Sequence, residues 1–253
     1  MKITHLIFIL LNTICLQSYA DNFKDGGEAY LRGDYENAAA AFIPLAKRGD
    51  HRAMYALGAM YSSGQGVKKD ITKSFELFSE AAKNGRADAM HRLGIMYEEG
   101  LGVEKNAKKA TRLYQKSAKK GYPLGQYKLG LMYMEGSAIK QNIINAYAWL
   151  VIAGHYFIYK AAEDINTRKD DRTVADNKFQ LQLLQQKEKN KILDKIIEDL
   201  NTLRVNMSSA QLAETREKVI KLSKYSNIYN KNNFKNIKEG TNTNNLFLLD
   251  TLQ

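Results

Sequence analysis

A 36-residue period constrains this 253-residue chain more than any other feature. Leu57-Gly58 returns as Leu93-Gly94 and Leu129-Gly130, and Met60-Tyr61 as Met96-Tyr97 and Met132-Tyr133, each 36 residues on. Gly64 returns as Gly100 and Gly136 at the same step. Val67, Val103 and Ile139 share one further position, Ser74, Ala110 and Ala146 another, and Phe78, Tyr114 and Leu150 a third. Agreement at so many positions marks a repeated supersecondary unit. A unit this short cannot bury its apolar face alone, whereas stacked neighbours can, and the result is a solenoid.

Each unit reads as two helices. The first spans about 53–62 and sets Leu57 and Tyr61 four apart on one face. Gly58 shares that face and lets a neighbouring helix come close. Gly64 and Gly66 end the helix, because glycine tolerates the left-handed backbone of helix termini. Asp70 caps the second helix, which carries Ser74, Phe78 and Ala81 inward, and Gly85 closes the unit. A degenerate unit precedes these. Ala29-Tyr30 and the turn Gly33-Asp34-Tyr35 lead into Ala38, Phe42, Ala46 and Gly49, the last being 36 residues before Gly85. Four helix pairs result, with units near 21–52, 53–88, 89–124 and 125–160. The chain has just two prolines, Pro44 and Pro123, so helices are favoured over a turn-rich sandwich. The expected fold is all-α, an α/α solenoid of helix pairs.

The stretches LGAMYSSGQGV (57–67), LGIMYEEGLGV (93–103) and LGLMYMEGSAI (129–139) resemble Sel1-like repeats, relatives of the tetratricopeptide repeat. AYAWLVIAG (146–154) looks like the last helix of such arrays, and the Gly-Asp-Tyr turn of the first unit is similar to a plain tetratricopeptide unit. The resemblance covers roughly 28–155. The third repeat departs from it, with Ala138 in place of the second loop glycine and Gly154 in place of the usual alanine. The resemblance implies a protein-binding adaptor or scaffold. It also implies that the first helix of each pair lines an inner wall. The wall positions are then Tyr55, Ala59 and Ser62-Ser63; next His91, Ile95, Glu98 and Glu99; then Tyr127, Leu131 and Met134-Glu135. Tyr55, His91 and Tyr127 form an aromatic ladder suited to recognition. Packing within the repeats is the other reading of the same residues.

The two ends read differently. Lys2, the apolar run from Ile3 to Leu16 and the small residues Ser18 and Ala20 have the layout of a secretory signal peptide at 1–20. The run is shorter than the roughly 20 residues a membrane span needs, which favours cleavage over a retained anchor. A cut after Ala20 removes Cys15, the one cysteine, and Lys2, taking the net charge from +11 to +10 (11 − 1) and leaving no membrane span. The product is expected to be exported, to the periplasm or beyond. At the other end, 161–225 is expected to form a helical cap. Leu193, Ile196 or Ile197, Leu200 and Leu203 make one face, and Ser208 with Gln211 offers a capping box ahead of Leu212, Val219 and Leu222. Residues 226–253 read as a flexible Asn/Lys-rich tail ending in the apolar run Leu246-Phe247-Leu248-Leu249. That run is either a short docked segment or a partner-binding or export tag.

No catalytic constellation is visible. His51, His91 and His155 lie far apart and lack metal-ligand spacing. Gly64-Gln65-Gly66 and Gly100-Leu101-Gly102 lack the later glycine and the lysine of nucleotide-binding loops, and their recurrence makes them repeat loops. The expectation is a non-enzymatic protein with no metal and no cofactor. The charge is the remaining signal, at +11 with a pI near 9.4. Between Glu104 and Lys128 eight basic residues face one acid, a net of +7 (8 − 1). Lys105, Lys109, Arg112, Lys116 and Lys120 recur at three or four residues and so share one helix face. That face is either merely solvated or attracts an anionic envelope component or an acidic protein. Export argues against nucleic acid. Two alternatives to an exported adaptor remain. One is a secreted host-interaction (virulence) factor of the same fold. The other is a hydrolase of an envelope polymer or a β-lactam with its site in 160–253. Family members linked to β-lactams are rich in disulfides, which this chain lacks.

Overall fold

A computed structural model describes residues 23–167 and 177–225, so the expected leader at 1–20 and the 226–253 tail lie outside the described residues. The described residues are helical throughout, joined by turns, with no strand among them. Helix α1 covers 23–31. It is followed by α2 (Tyr35–Lys47), α3 (His51–Ser63), α4 (Ile71–Lys83), α5 (Ala87–Glu99), α6 (Ala107–Lys119) and α7 (Pro123–Glu135). Then come α8 (Ile143–Thr167), α9 (Asn177–Val205), α10 (Ser209–Leu222) and a 3-10 turn at Ser223–Tyr225. The chain divides into two compact units, with the boundary between Lys105 and Asn106. Unit 1 holds α1 to α5 and unit 2 holds α6 to α10.

In unit 1, α2 packs on α3, α3 on α4 and α4 on α5. The core forms where the period places apolar side chains: Phe42, Leu57, Met60, Phe78, Leu93 and Met96 are all buried. Each such burial contributes about 1.5–3 kcal/mol. Gly58 permits the α3–α4 approach, since a Cβ there would stand 3.1 Å from the Phe78 ring. Gly64 ends α3 in the left-handed region at φ +79°, and its N–H donates to the Met60 carbonyl.

One glycine in each loop has a second task. A Cβ on Gly66 would run into the carbonyl of Tyr35, the first residue of α2. A Cβ on Gly102 would lie 2.9 Å from the carbonyl of Ile71, the first residue of α4. Both glycines therefore seat a loop on the helix start 31 residues back (66 − 35 and 102 − 71). The residue in register in unit 2 is Ala138, which brings the very Cβ the other seats exclude.

In unit 2, α6 packs on α7 and α7 on α8. Tyr114, Leu129, Met132 and Leu150 repeat the core positions of unit 1 and are likewise buried. Both α9 and α10 pack on α8. Ile196, Leu200, Leu203 and Val219 complete the core, while Ile197 is 38% exposed, which settles which isoleucine faces inward. The Ser208–Gln211 capping box is present in both directions. The last turn is held by Gln126, whose Nε2 donates to the Tyr225 carbonyl at 2.9 Å, and by Trp149, whose ring stacks on that of Tyr225.

Residues 159–191 hold the end of one helix and the start of the next. Helix α8 continues to Thr167 and α9 begins at Asn177. From His155 to Lys191 there is neither glycine nor proline.

Candidate functional site

The second helices of the repeats share a capping device. The side chains of Asp70, Asn106 and Asn142 each accept from the backbone N–H three residues on, at 2.9, 2.9 and 2.8 Å. Asp70 and Asn142 also donate their own N–H to the carbonyls of Tyr61 and Tyr133, which ties each cap to the end of the first helix. The result is a fixed helix-pair geometry on which exposed side chains are displayed.

In unit 1 the pair α1 and α3 encloses a cavity of about 520 Å³. Gly27, Tyr30 and Leu31 line it from α1, Phe42 from α2, and Tyr55, Ala56 and Ala59 from α3, with Lys24 and Glu28 at its edge. The small side chains Gly27, Ala56 and Ala59 make the space. Leu31 is 48% exposed beside it, a large apolar side chain left in water. The Tyr55 ring packs at 5.5 Å from Phe78 and lies under the Arg86 guanidinium at 5.0 Å, so part of its surface packs within the repeat. Arg86 is itself held by Asp88, with Nε donating at 3.0 Å. Tyr30 donates its hydroxyl to Gln65 Oε1 at 3.0 Å, and Ser63 donates to the same oxygen at 2.9 Å. Burial first, and then Tyr35, push the Tyr30 hydroxyl pKa up, with Arg92 opposing. The cavity wall is thus neutral and mostly apolar.

Asp50 anchors the start of α3. It accepts from the backbone N–H of Arg52 at 2.7 Å and from Arg52 Nη2 at 2.7 Å. Burial alone would raise its pKa. The Arg52 side chain and the backbone N–H groups of Arg52 and Ala53 outweigh it and lower the pKa to about 2. Arg52 in turn lies over the Phe23 ring at 4.4 Å.

The remaining ladder residues are placed differently. His91 is buried in α5, Ile95 is half-buried, and Glu98 and Glu99 are exposed. In unit 2, Tyr127 and Leu131 are half-buried on α7. Tyr127 donates its hydroxyl to Asp199 Oδ2 of α9 at 3.5 Å. Lys195 Nζ stands 3.5 Å from Asp199 Oδ1 and 3.0 Å from Glu198. Burial, and then the Asp199 charge, push the Tyr127 hydroxyl up to about 12. With His91 buried and Tyr127 under α9, Tyr55 is the rung of the ladder that opens onto free space.

Lys109, Arg112 and Lys116 are exposed on α6, as are Lys108 and Lys119, and Lys120 is exposed at its C-cap. Lys105 precedes the cap residue Asn106 and is not on the helix, so the basic face starts later than the spacing implied. Among the described residues no group of His, Cys, Asp and Glu is gathered as a metal site, and no helix is long and apolar enough to cross a membrane.

Helix pairs at a fixed period, closed by left-handed glycines and packed neighbour on neighbour, define a helical-repeat protein of the tetratricopeptide-like class. More particularly, the chain carries Sel1 repeats: the Sel1 repeat family matches residues 51–85, 87–122 and 123–154. A curated relative, an exopolysaccharide production negative regulator of Rhizobium leguminosarum bv. viciae, is 38% identical over 60 residues. That match covers 24% of this chain and 22% of the relative's length. Among solved structures, the chain is similar to a protective antigen of uropathogenic Escherichia coli strains with an SLR fold, at 22% identity and a TM-score of 0.51. The likeness covers 79% of this chain and 46% of that one, and it concerns the fold. A Sel1 repeat protein from Oxalobacter formigenes matches at 24% identity over 56% of this chain and 70% of that one, with a TM-score of 0.48.

Proposed function

We propose that this chain is an exported, non-catalytic scaffold that binds a protein partner through the α1–α3 cavity of unit 1. The observation that carries the reading is the cavity of about 520 Å³, edged by the exposed Leu31 and walled by Tyr55 and Tyr30. Binding sites are typically concave, apolar and oriented by a few polar groups, here the Tyr30 hydroxyl and the Lys24 and Glu28 edge. Aromatic anchors such as Tyr55 supply contact area at low entropic cost.

Site-directed cross-linking tests this. Cys15 lies in the expected leader, so a cysteine placed at Ala59 gives a unique attachment point in the mature chain. A photoreactive group there should trap one partner in cells. The same group at Thr72, exposed on α4, should not. Tyr55→Ala or Leu31→Glu should abolish the adduct. Equal trapping from both positions sinks the site. Turnover of a peptidoglycan fragment or a β-lactam by the purified chain sinks the non-catalytic reading. Cell fractionation decides between a periplasmic scaffold and a secreted, host-facing one.

A further inference from the structure

The charges of α4 and α6 do not match, although the two helices hold the same place in the repeat. On α4, Lys73 pairs with Glu76 at 2.9 Å and Lys83 with Glu80 at 2.5 Å. One period on, Lys73 becomes Lys109 and Lys83 becomes Lys119, but Glu76 becomes Arg112 and Glu80 becomes Lys116. The two acids that neutralise α4 are reversed in sign on α6. Arg112, Lys116, Lys119 and Lys120 meet no carboxylate among the described residues.

The helix carries a cost for this. Like charges at three or four residues oppose each other by about 0.2–0.5 kcal/mol per pair. Lys108 and Lys109 sit in the first turn, where the helix dipole disfavours cations. The same dipole favours Lys116 and Lys119 in the last turn, but α6 itself contains no acid to pair with any of these cations, and its inward side, Ala110, Tyr114 and Ala118, is already used in the core.

We infer that the basic face of α6 docks an acidic amphipathic helix of a partner protein, at a surface separate from the unit 1 cavity. The row from Lys108 to Lys120 extends about 18 Å, with cations every 4.5–6 Å or so. A helix laid along α6 has the same rise, so acids at three- or four-residue spacing meet each cation in turn. An extended strand places same-face residues about 6.6 Å apart and falls out of step. A membrane is the poorer match, because the charge does not widen into a plane. Residues 143–158 of α8 contain no Asp, Glu, Lys or Arg, and Lys128 of α7 lies over the Tyr114 ring. Single-stranded nucleic acid is a poorer match too, since the one aromatic residue of α6, Tyr114, is buried and offers bases no stacking platform.

The test uses the mature chain and two peptides of equal composition, each about 20 residues long, or about 30 Å as a helix. One is a helix with glutamates on a single face; the other is interrupted by proline. The helical peptide should bind at least tenfold tighter, and added salt should weaken it as surface charges are screened. Arg112→Glu with Lys116→Glu should abolish binding. That variant writes the charge pattern of α4 into α6, so it should melt no lower than the parent. Arg112→Gln with Lys116→Gln should also weaken binding at least fivefold. Lys73→Glu with Lys83→Glu, on α4, should leave it unchanged. Equal affinity for the two peptides overturns the inference, as does unaltered binding by both α6 variants. Tighter binding to alginate or to phosphatidylglycerol vesicles than to the helical peptide overturns it as well.

Discussion

Tyr55 and Tyr127 occupy the same repeat position, two periods (72 residues) apart, and meet opposite surroundings. In unit 1 the tyrosine borders a cavity whose other wall is the short helix α1. In unit 2 it lies beneath α9 and donates to Asp199. The repeat therefore supplies a wall, and what lies against the wall is decided elsewhere in the chain. Unit 2 brings its own helix against Tyr127. Unit 1 leaves room for a guest.

Four outcomes would break or sharpen this contrast. The largest concerns the loop seats. Gly66→Ala forces a left-handed alanine against the Tyr35 carbonyl and should destabilise unit 1 by about 4 kcal/mol in urea unfolding. Ala138→Gly in unit 2 should cost less than about 1 kcal/mol, the entropy of a glycine alone. Similar losses at the two sites would show that the seats are equivalent after all.

Acid should separate the units next. Burial lowers the pKa of His155 on α8 from 6.5 to about 4. Between those values the unfolded chain takes up a proton and the folded chain does not. Unit 2 is therefore fully stable above pH 6.5 and loses about 3 kcal/mol as the pH falls to 4. In unit 1 the depressed Asp50 contributes stability present above pH 3.8 and lost as the pH falls toward 2. Hydrogen exchange at pH 5 should show the amides of α8 opening while those of α3 stay protected. His155→Leu should remove the difference. Matching acid sensitivity in α3 and α8 would erase it as a distinction between units.

Leu31→Glu should abolish partner trapping with little effect on folding, because Leu31 is already exposed, whereas Tyr55→Ala should do so at some cost in stability, because it also removes the ring's contacts with Phe78 and Arg86. The smallest effect belongs to the cover. At 3.5 Å the Tyr127–Asp199 hydrogen bond is long, and a double-mutant cycle of Tyr127→Phe with Asp199→Asn should give a coupling below about 1 kcal/mol. A coupling several times larger would make that bond, rather than the apolar contacts of Ile196 and Leu200, the clasp of α9.

Much of the fold was legible because it repeats. Leu57, Met60 and Phe78 with their counterparts are buried as their recurrence implied, and Gly64 and Asp70 end and begin helices as their chemistry predicts. Asn106 and Asn142 cap as Asp70 does, and the same 36-residue step would have revealed them. The site was less legible. The cavity needs Gly27 and Leu31 of α1, and the first unit's short turn takes α1 out of register with the other repeats. The covering of Tyr127 depends on Asp199, 72 residues away in sequence and in a helix that is not part of the period. Periodicity describes neighbours, and a contact made once has no period to betray it.

The seats of Gly66 and Gly102 bear finally on how such an array can grow. Each seat fixes how the loop of one repeat rests on the helix start of the repeat before it, within unit 1. A duplication of 53–88 brings its own glycine with it, so an inserted copy keeps the seat. A duplication of 125–160 carries Ala138 and brings no glycine to the seat. Which repeat is copied therefore decides whether the new junction carries a glycine seat.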